Sequence, residues 1–164
     1  DSITQALLSK VEDALIGFTE DELSVELRDG KVYVSVSEQL LFSSGSIVVN
    51  QKGQKALAKV AEVLARNPDI QVMIEGHTDS VPIRTQRGAI KDNWDLSVLR
   101  ATSVVRILRK EADLAPERIT AAGRGPFVPV ASNATEEGKA QNRRTEIILT
   151  PKLDELFSIL SGEK

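Results

Sequence analysis

The sequence contains no cysteine, which excludes disulfides and thiolate chemistry but leaves the compartment open, because many exported proteins also avoid thiols. Histidine occurs once, at His77. With no Gly-x-Ser-x-Gly elbow, a nucleophilic triad would need that one imidazole to find a distant serine that nothing local marks. A zinc site would need more imidazole or thiolate than the chain holds, unless carboxylates completed the set. No apolar run approaches the length of a bilayer-spanning helix, and the N-terminus lacks the charged-then-apolar pattern of a signal peptide. The chain is therefore cytoplasmic, or its targeting segments lie outside this sequence. The formal charge is −3 with acids and bases interleaved, so no basic stripe recommends nucleic acid and no polybasic run recommends an anionic membrane. Internal repeats and low-complexity tracts are also lacking.

What is present is a sequence of 164 residues, enough for one domain with a real core. Leu7, Val11, Ala14 and Phe18 recur at helical spacing, predicting an amphipathic helix that ends near Gly17-Phe18. Residues Leu23 to Leu27 and Val32 to Val36 alternate with period two around Asp29-Gly30, a pair that readily adopts the positive φ angles of a hairpin turn. Asn50 offers a side-chain cap to a helix through about Arg66 that buries Leu57, Val60, Ala61 and Leu64, and Asn67-Pro68 stops it. Asp69 to Glu75 reads as an interior strand, and Ser80 to Asp92 as a long loop. Asp92 or Asn93 can cap the next helix, whose Ala101, Val104, Val105 and Leu108 form a stripe toward the sheet. Arg118 to Gly123 is a strand, Arg124 to Gln141 a loop, Thr145 to Leu149 a last strand, and Pro151 opens an amphipathic C-terminal helix through Leu160. Strands alternating with helices after a hairpin predict an α/β (α+β) two-layer sandwich, a mixed sheet with helices on one face.

Two charges stand out. Asp79 follows an apolar run, and Arg100 lies near the start of a helix where a cation opposes the macrodipole. Its helical neighbours at i±3 and i±4 are Leu96, Ser97, Ser103 and Val104, so no local carboxylate compensates it. A carboxylate and a guanidinium at two element ends could clamp a zwitterion, the carboxylate taking an ammonium and the planar guanidinium a carboxylate. They could equally pair with each other, as ion pairs at loop ends commonly do. His77 reads first as a hydrogen-bonded structural residue. Gly123-Arg124-Gly125 reads as a turn, since it lacks the second half of either phosphate-binding glycine fingerprint and precedes Pro126 rather than a helix. The C-terminal stripe has a mixed, slightly acidic polar face, unlike the basic face of membrane-surface helices, and so reads as a packing face.

Gly76-His77-Thr78-Asp79, then Asn93, Leu96-Ser97, Arg100-Ala101 and Val104, then Arg118, Gly123, Pro129, Asn133, Thr135, Gly138 and Asn142-Arg143-Arg144 resemble, in order and spacing, the OmpA-like peptidoglycan-binding domain. Val81-Pro82-Ile83 and Trp94 make it most similar to the MotB-type, flagellar stator variant. The resemblance divides the chain into an N-terminal helix and hairpin (1–39), the OmpA-like domain (40–150) and the C-terminal helix (151–164). It implies a non-enzymatic, cofactor-free protein that binds diaminopimelate in the peptide stem of peptidoglycan and anchors a cell-envelope protein to the murein. By position, Asp79 would receive the ammonium and Arg100 the carboxylate, with Thr78, Asn93 and Leu96 lining the pocket, Arg143 flanking it and Arg144 structural. Relatives often place an aspartate just after the Phe42 position; here Ser43 and Ser44 follow, so no acidic contact is expected from that loop. The implied location is the periplasm, with attachment to the outer or inner membrane through a segment preceding Asp1. A homodimer, or an oligomerisation module of an envelope complex with little murein binding of its own, is the rival implication.

Overall fold

Asp29 and Gly30 both take positive φ, 52° and 73°, and this tight turn folds β1 (Leu23–Arg28) antiparallel onto β2 (Lys31–Ser37). The structure, a computed structural model, describes residues 2–84, 88–152 and 160–162. Before the hairpin stands α1 (Ser2–Ala14), and after it come a single-turn α2 (Glu38–Leu41), α3 (Gln51–Arg66) and β3 (Ile70–His77). Then α4 (Asn93–Ala112), a short 3-10 turn, β4 (Ile119–Gly123), α5 (Glu136–Asn142) and β5 (Arg144–Pro151) complete the described elements. The strand order is β1-β2-β5-β3-β4, antiparallel except for the β3–β4 pair, whose parallel crossover is α4. This is the mixed sheet expected. The hairpin is part of it, because β2 pairs directly with β5.

Alternation decides the two faces. Val32, Val34 and Val36, Val72 and Ile74, and Ile147 and Leu149 point to one side and are almost wholly buried. Against them pack the predicted stripes: Leu7 and Val11 of α1, Leu57, Val60, Ala61 and Leu64 of α3, and Ala101, Val104 and Leu108 of α4. Each such fully covered Leu or Val contributes about 1.5–3 kcal/mol relative to exposure. Among the described residues no helix lies over the centre of the opposite sheet face, where Met73 stands exposed.

One close approach sets the site. A Cβ on Gly76 would overlap the Ser97 carbonyl, so only glycine lets the end of β3 lie against the first turns of α4. That contact brings Asp79 and Arg100 to the same end of the sandwich.

Several expectations need correction. The side chain of Asn50 does not cap α3; its Oδ1 lies 3.5 Å from the Ser43 hydroxyl, while its N–H donates to the Leu41 carbonyl at 2.6 Å. Asp92, not Asn93, caps α4 by accepting from the Asp95 N–H at 3.1 Å. The 124–141 segment is not loop throughout: Thr135 caps the seven-residue α5, accepting from the Gly138 N–H at 3.0 Å. Pro151 ends β5 opposite Ile70 rather than opening a helix, which the ladder tolerates because it is the last pair. The C-terminal helix expectation rests on residues 153–159, which lie outside the described ones. The first helix stops at Ala14, short of Gly17.

Candidate functional site

Six residues singled out in the sequence, Thr78, Asp79, Asn93, Leu96, Arg100 and Arg143, line one cleft of about 620 Å³. The loop after β3 supplies Thr78 and Asp79. The Thr78 N–H donates to the Gly125 carbonyl at 3.0 Å and its hydroxyl to the Asp79 carbonyl at 2.8 Å, so both ends of the residue are held. Asn93, the first residue of α4, donates from Nδ2 to the Val81 carbonyl at 3.0 Å, closing the loop onto the helix. Leu96, one turn further, is buried and gives the cleft its apolar wall.

Asp79 and Arg100 are not paired with each other. Asp79 Oδ2 accepts from Arg143 Nη1 at 2.7 Å, and Oδ1 accepts from the Val81 N–H at 3.0 Å. Arg100 donates from Nη1 to Glu38 Oε2 at 2.6 Å, from Nε to the Ser46 carbonyl at 2.9 Å, and from Nη2 to the Ser43 carbonyl at 3.3 Å. Its guanidinium also lies 4.8 Å from the centre of the Phe42 ring. As the eighth residue of α4 it sits beyond the first turn, where the macrodipole is already weak, so the sequence argument from helix polarity carries little. What compensates it is tertiary.

That partner, Glu38, is a cleft residue the sequence did not single out. It opens α2, and its own N–H donates to the Arg143 carbonyl at 2.9 Å. Its second oxygen stands 3.6 Å from Arg143 Nε, so the four charges form one chain, Asp79 to Arg143 to Glu38 to Arg100. Arg143 is set by Asn142 before it, fully buried, whose side chain accepts from the Val130 and Ala131 N–H groups and donates to the Ala131 carbonyl and Asn133. The Ser43-Ser44 loop offers no carboxylate, yet its Ser43 carbonyl does contact Arg100.

The capacity left over matters most. A guanidinium has five N–H groups, and among the described residues Arg100 spends three, leaving two; the Asp79 carboxylate accepts two bonds there and has lone pairs to spare. The cleft can therefore donate to a carboxylate and accept from an ammonium.

Among the described residues, one grouping has metal-ligand chemistry: Glu75, His77 and Glu146, with ligand atoms within 4.8 Å of one another on the sheet face opposite α3 and α4. It does not suit a cation. Arg144 Nε already holds Glu146 at 2.6 Å and Arg28 stands 3.6 Å away, so two guanidiniums offset the two carboxylates. His77 Nε2 lies 2.9 Å from Glu75, which is met by the tautomer with its hydrogen on Nε2, and buried Nδ1 has no partner. A metal on Nε2 would instead place a hydrogen on Nδ1 with nothing to accept it. The hydrogen bond from His77 holds the Glu75 carboxyl below its ordinary range, with burial opposing.

Residues 41–143 match the sequence profile of the OmpA family. Motility protein B of Bacillus subtilis is 30% identical over 133 residues, which cover 81% of this chain and 50% of that protein. The chain thus spans about half the length of that relative. Among solved structures, a putative MotB like protein from Desulfovibrio vulgaris superposes with a TM-score of 0.79 at 26% identity, covering 92% of this chain and 98% of that one. The cell wall anchor of the T6SS from Pseudomonas aeruginosa gives 0.74 at 32% identity, covering 91% and 97%.

Proposed function

The chain belongs to the OmpA family, and from that premise we propose that its cleft grips the free amino-acid end of diaminopimelate in a peptidoglycan stem, holding a cell-envelope protein to the murein layer. The observation that carries this reading is the leftover bonding of two opposite charges in one cleft: acceptor capacity on Asp79 and two N–H groups on Arg100. In this reading the ammonium enters on Asp79 and the carboxylate on Arg100. Thr78 and Asn93 hold the loop that presents Asp79, Leu96 packs on the aliphatic side chain, and Arg143 steadies the Asp79 carboxylate. Residues 40–150 carry the grip and residues 1–39 brace the sheet beneath it. The activity is binding, without a chemical step, and the compartment is the periplasm. The resemblance to a cell wall anchor at 32% identity supports it.

The magnitudes suit a tether. Charge-assisted hydrogen bonds contribute about 1.5–3 kcal/mol each, so one stem is held modestly. Many stems along one sacculus raise the effective concentration and supply the strength. In a sedimentation assay with purified sacculi, the wild type goes down with the pellet, while Asp79→Ala and Arg100→Ala stay in the supernatant. Equal sedimentation of all three would sink the clamp.

A further inference from the structure

We propose that Glu38 sets the charge specificity of the cleft, so that it accepts a zwitterionic amino-acid end and turns away a carboxylate that arrives without an ammonium. The proposal rests on the diaminopimelate reading and adds to it the residue that does the discriminating. Four charges meet here, two carboxylates and two guanidiniums, with Asp79 and Arg100 buried and Glu38 and Arg143 partly so, and they sum to zero only because Glu38 is one of them. Of the other charges among the described residues lining the cleft, Lys139 pairs with Glu136 at 2.9 Å, and Arg84 stands on the exposed rim where solvent screens it. Without Glu38 the set would carry one excess positive charge and would attract small anions.

With Glu38 in place, a ligand carboxylate docking on Arg100 shares that guanidinium with a second carboxylate 2.6 Å from Nη1. Two anions on one guanidinium repel, and in a poorly solvated cleft the repulsion is strong. The ligand's own ammonium, seated on Asp79, restores neutrality. A ligand lacking that group leaves the repulsion uncompensated, which is how an interface discriminates by a penalty placed on the wrong partner.

Position makes Glu38 suited to this. It is fixed by the chain, not only by its side chain: Ser37 caps α2 by accepting from the Leu40 N–H at 3.2 Å, and the Glu38 N–H is tied to Arg143. The Glu38 side chain is 18% exposed, between the deeply buried Arg100 at 5% and the more open Arg143 at 30%. The geometry therefore holds its carboxylate between the two guanidiniums before any ligand arrives.

Glu38→Gln tests the charge with little change of shape, since the amide oxygen can still accept from Arg100. Titration of the whole chain with meso-diaminopimelate and with pimelate, the same seven-carbon diacid without its amines, gives the ratio of the two dissociation constants. In the wild type diaminopimelate binds more tightly; in Glu38→Gln the preference falls about tenfold, chiefly because pimelate binds better. Glu38→Asp, which keeps the charge, retains most of the wild-type preference. That pattern would not follow from a merely structural role, which would weaken both ligands together and lower the melting temperature. An unchanged ratio in Glu38→Gln overturns the proposal, as does a ratio lost equally in Glu38→Asp. If the wild type binds neither compound, or both alike, the diaminopimelate reading itself fails and takes this one with it.

Discussion

Arg143 and Arg144 are neighbours in the chain, and they end in two different ionic networks. Arg143, just before β5, reaches Asp79 and Glu38 in the cleft; Arg144, the first residue of β5, joins Glu146, with Glu75, His77 and Arg28 close by, on the sheet face opposite α3 and α4. The split repeats across β3, where Glu75 and His77 serve the sheet-face network and Asp79, two residues on, serves the cleft. Both networks border open space, since a wider groove of about 940 Å³ runs over Arg144 and Glu146. What separates them is how the opposite charges pair: Arg144 and Glu146 bond each other at 2.6 Å, while Asp79 and Arg100 line one cleft without bonding each other. Arg144 gives hydrogen bonds to Glu146, to the Asn142 carbonyl at 3.2 Å and to the Val128 carbonyl at 3.1 Å, tying strand to loop with its side chain 5% exposed. In the cleft, Arg100 also gives three hydrogen bonds, to Glu38 and to the Ser43 and Ser46 carbonyls, but the Asp79 carboxylate across from it is left to Arg143 and the Val81 N–H. The same residue types make a brace in one place and a candidate grip in the other.

The largest effect that would test this contrast is on stability. Arg144→Ala removes the nearest cation from a buried Glu146 and orphans two carbonyls. Breaking a buried pair costs about 3–5 kcal/mol, and the low end, about 3 kcal/mol, is expected here because Arg28 remains 3.6 Å from Glu146. Urea unfolding should show it as a lower midpoint, with sacculus binding intact in the fraction that stays folded. A loss of binding without loss of stability would erase the distinction between the two arginines.

Arg143→Ala should do the reverse. Its side chain is 30% exposed, so the ion pairs it makes are worth about 1 kcal/mol or less to the fold. Binding suffers more, because the Asp79 carboxylate loses the group that aims it; retention on sacculi should fall about tenfold, which is 1.4 kcal/mol. Unchanged retention would leave Arg143 as a bystander and put the burden on Arg100 alone.

The contrast also explains what could be read from the sequence. The hairpin was legible because Asp29-Gly30 permits one kind of turn and the flanking strands alternate cleanly. α3 and α4 were legible through stripes long enough to show a helical period. α5 was not: seven residues bury Gly138 and Asn142 and no apolar stripe, so its cap at Thr135 was the available signal. In the cleft, Asp79 and Arg100 drew attention because their neighbours offered nothing to pair with, which is itself a physical signal. Their actual partners were hidden by distance, Glu38 lying 62 residues from Arg100 and Arg143 lying 64 from Asp79. Ser37-Glu38 reads locally as a helix start, and nothing at that spacing says that its carboxylate crosses to another helix. His77 was legible as structural, and its burial beside Glu75 accords with that reading.

The smallest effect belongs to the sheet face alone and shows up in pH. The Glu75 carboxyl is held below its ordinary value of 4.5 by the hydrogen bond from His77. A carboxylate whose folded pKa is depressed stabilises the fold above its unfolded value, and that contribution is lost as pH falls through the folded pKa. Wild-type stability should therefore drop from about pH 4.5 downward, measured as urea midpoints at stepped pH. In Glu75→Gln the amide cannot titrate, so the drop between pH 6 and pH 3 should be shallower, while sacculus retention at pH 7 stays as in the wild type. A variant with the same acid slope as the wild type would show that the His77 contact does not favour the Glu75 carboxylate over its protonated form. Weakened retention at neutral pH would show the opposite failure, that the brace on the sheet face reaches into the cleft two residues away.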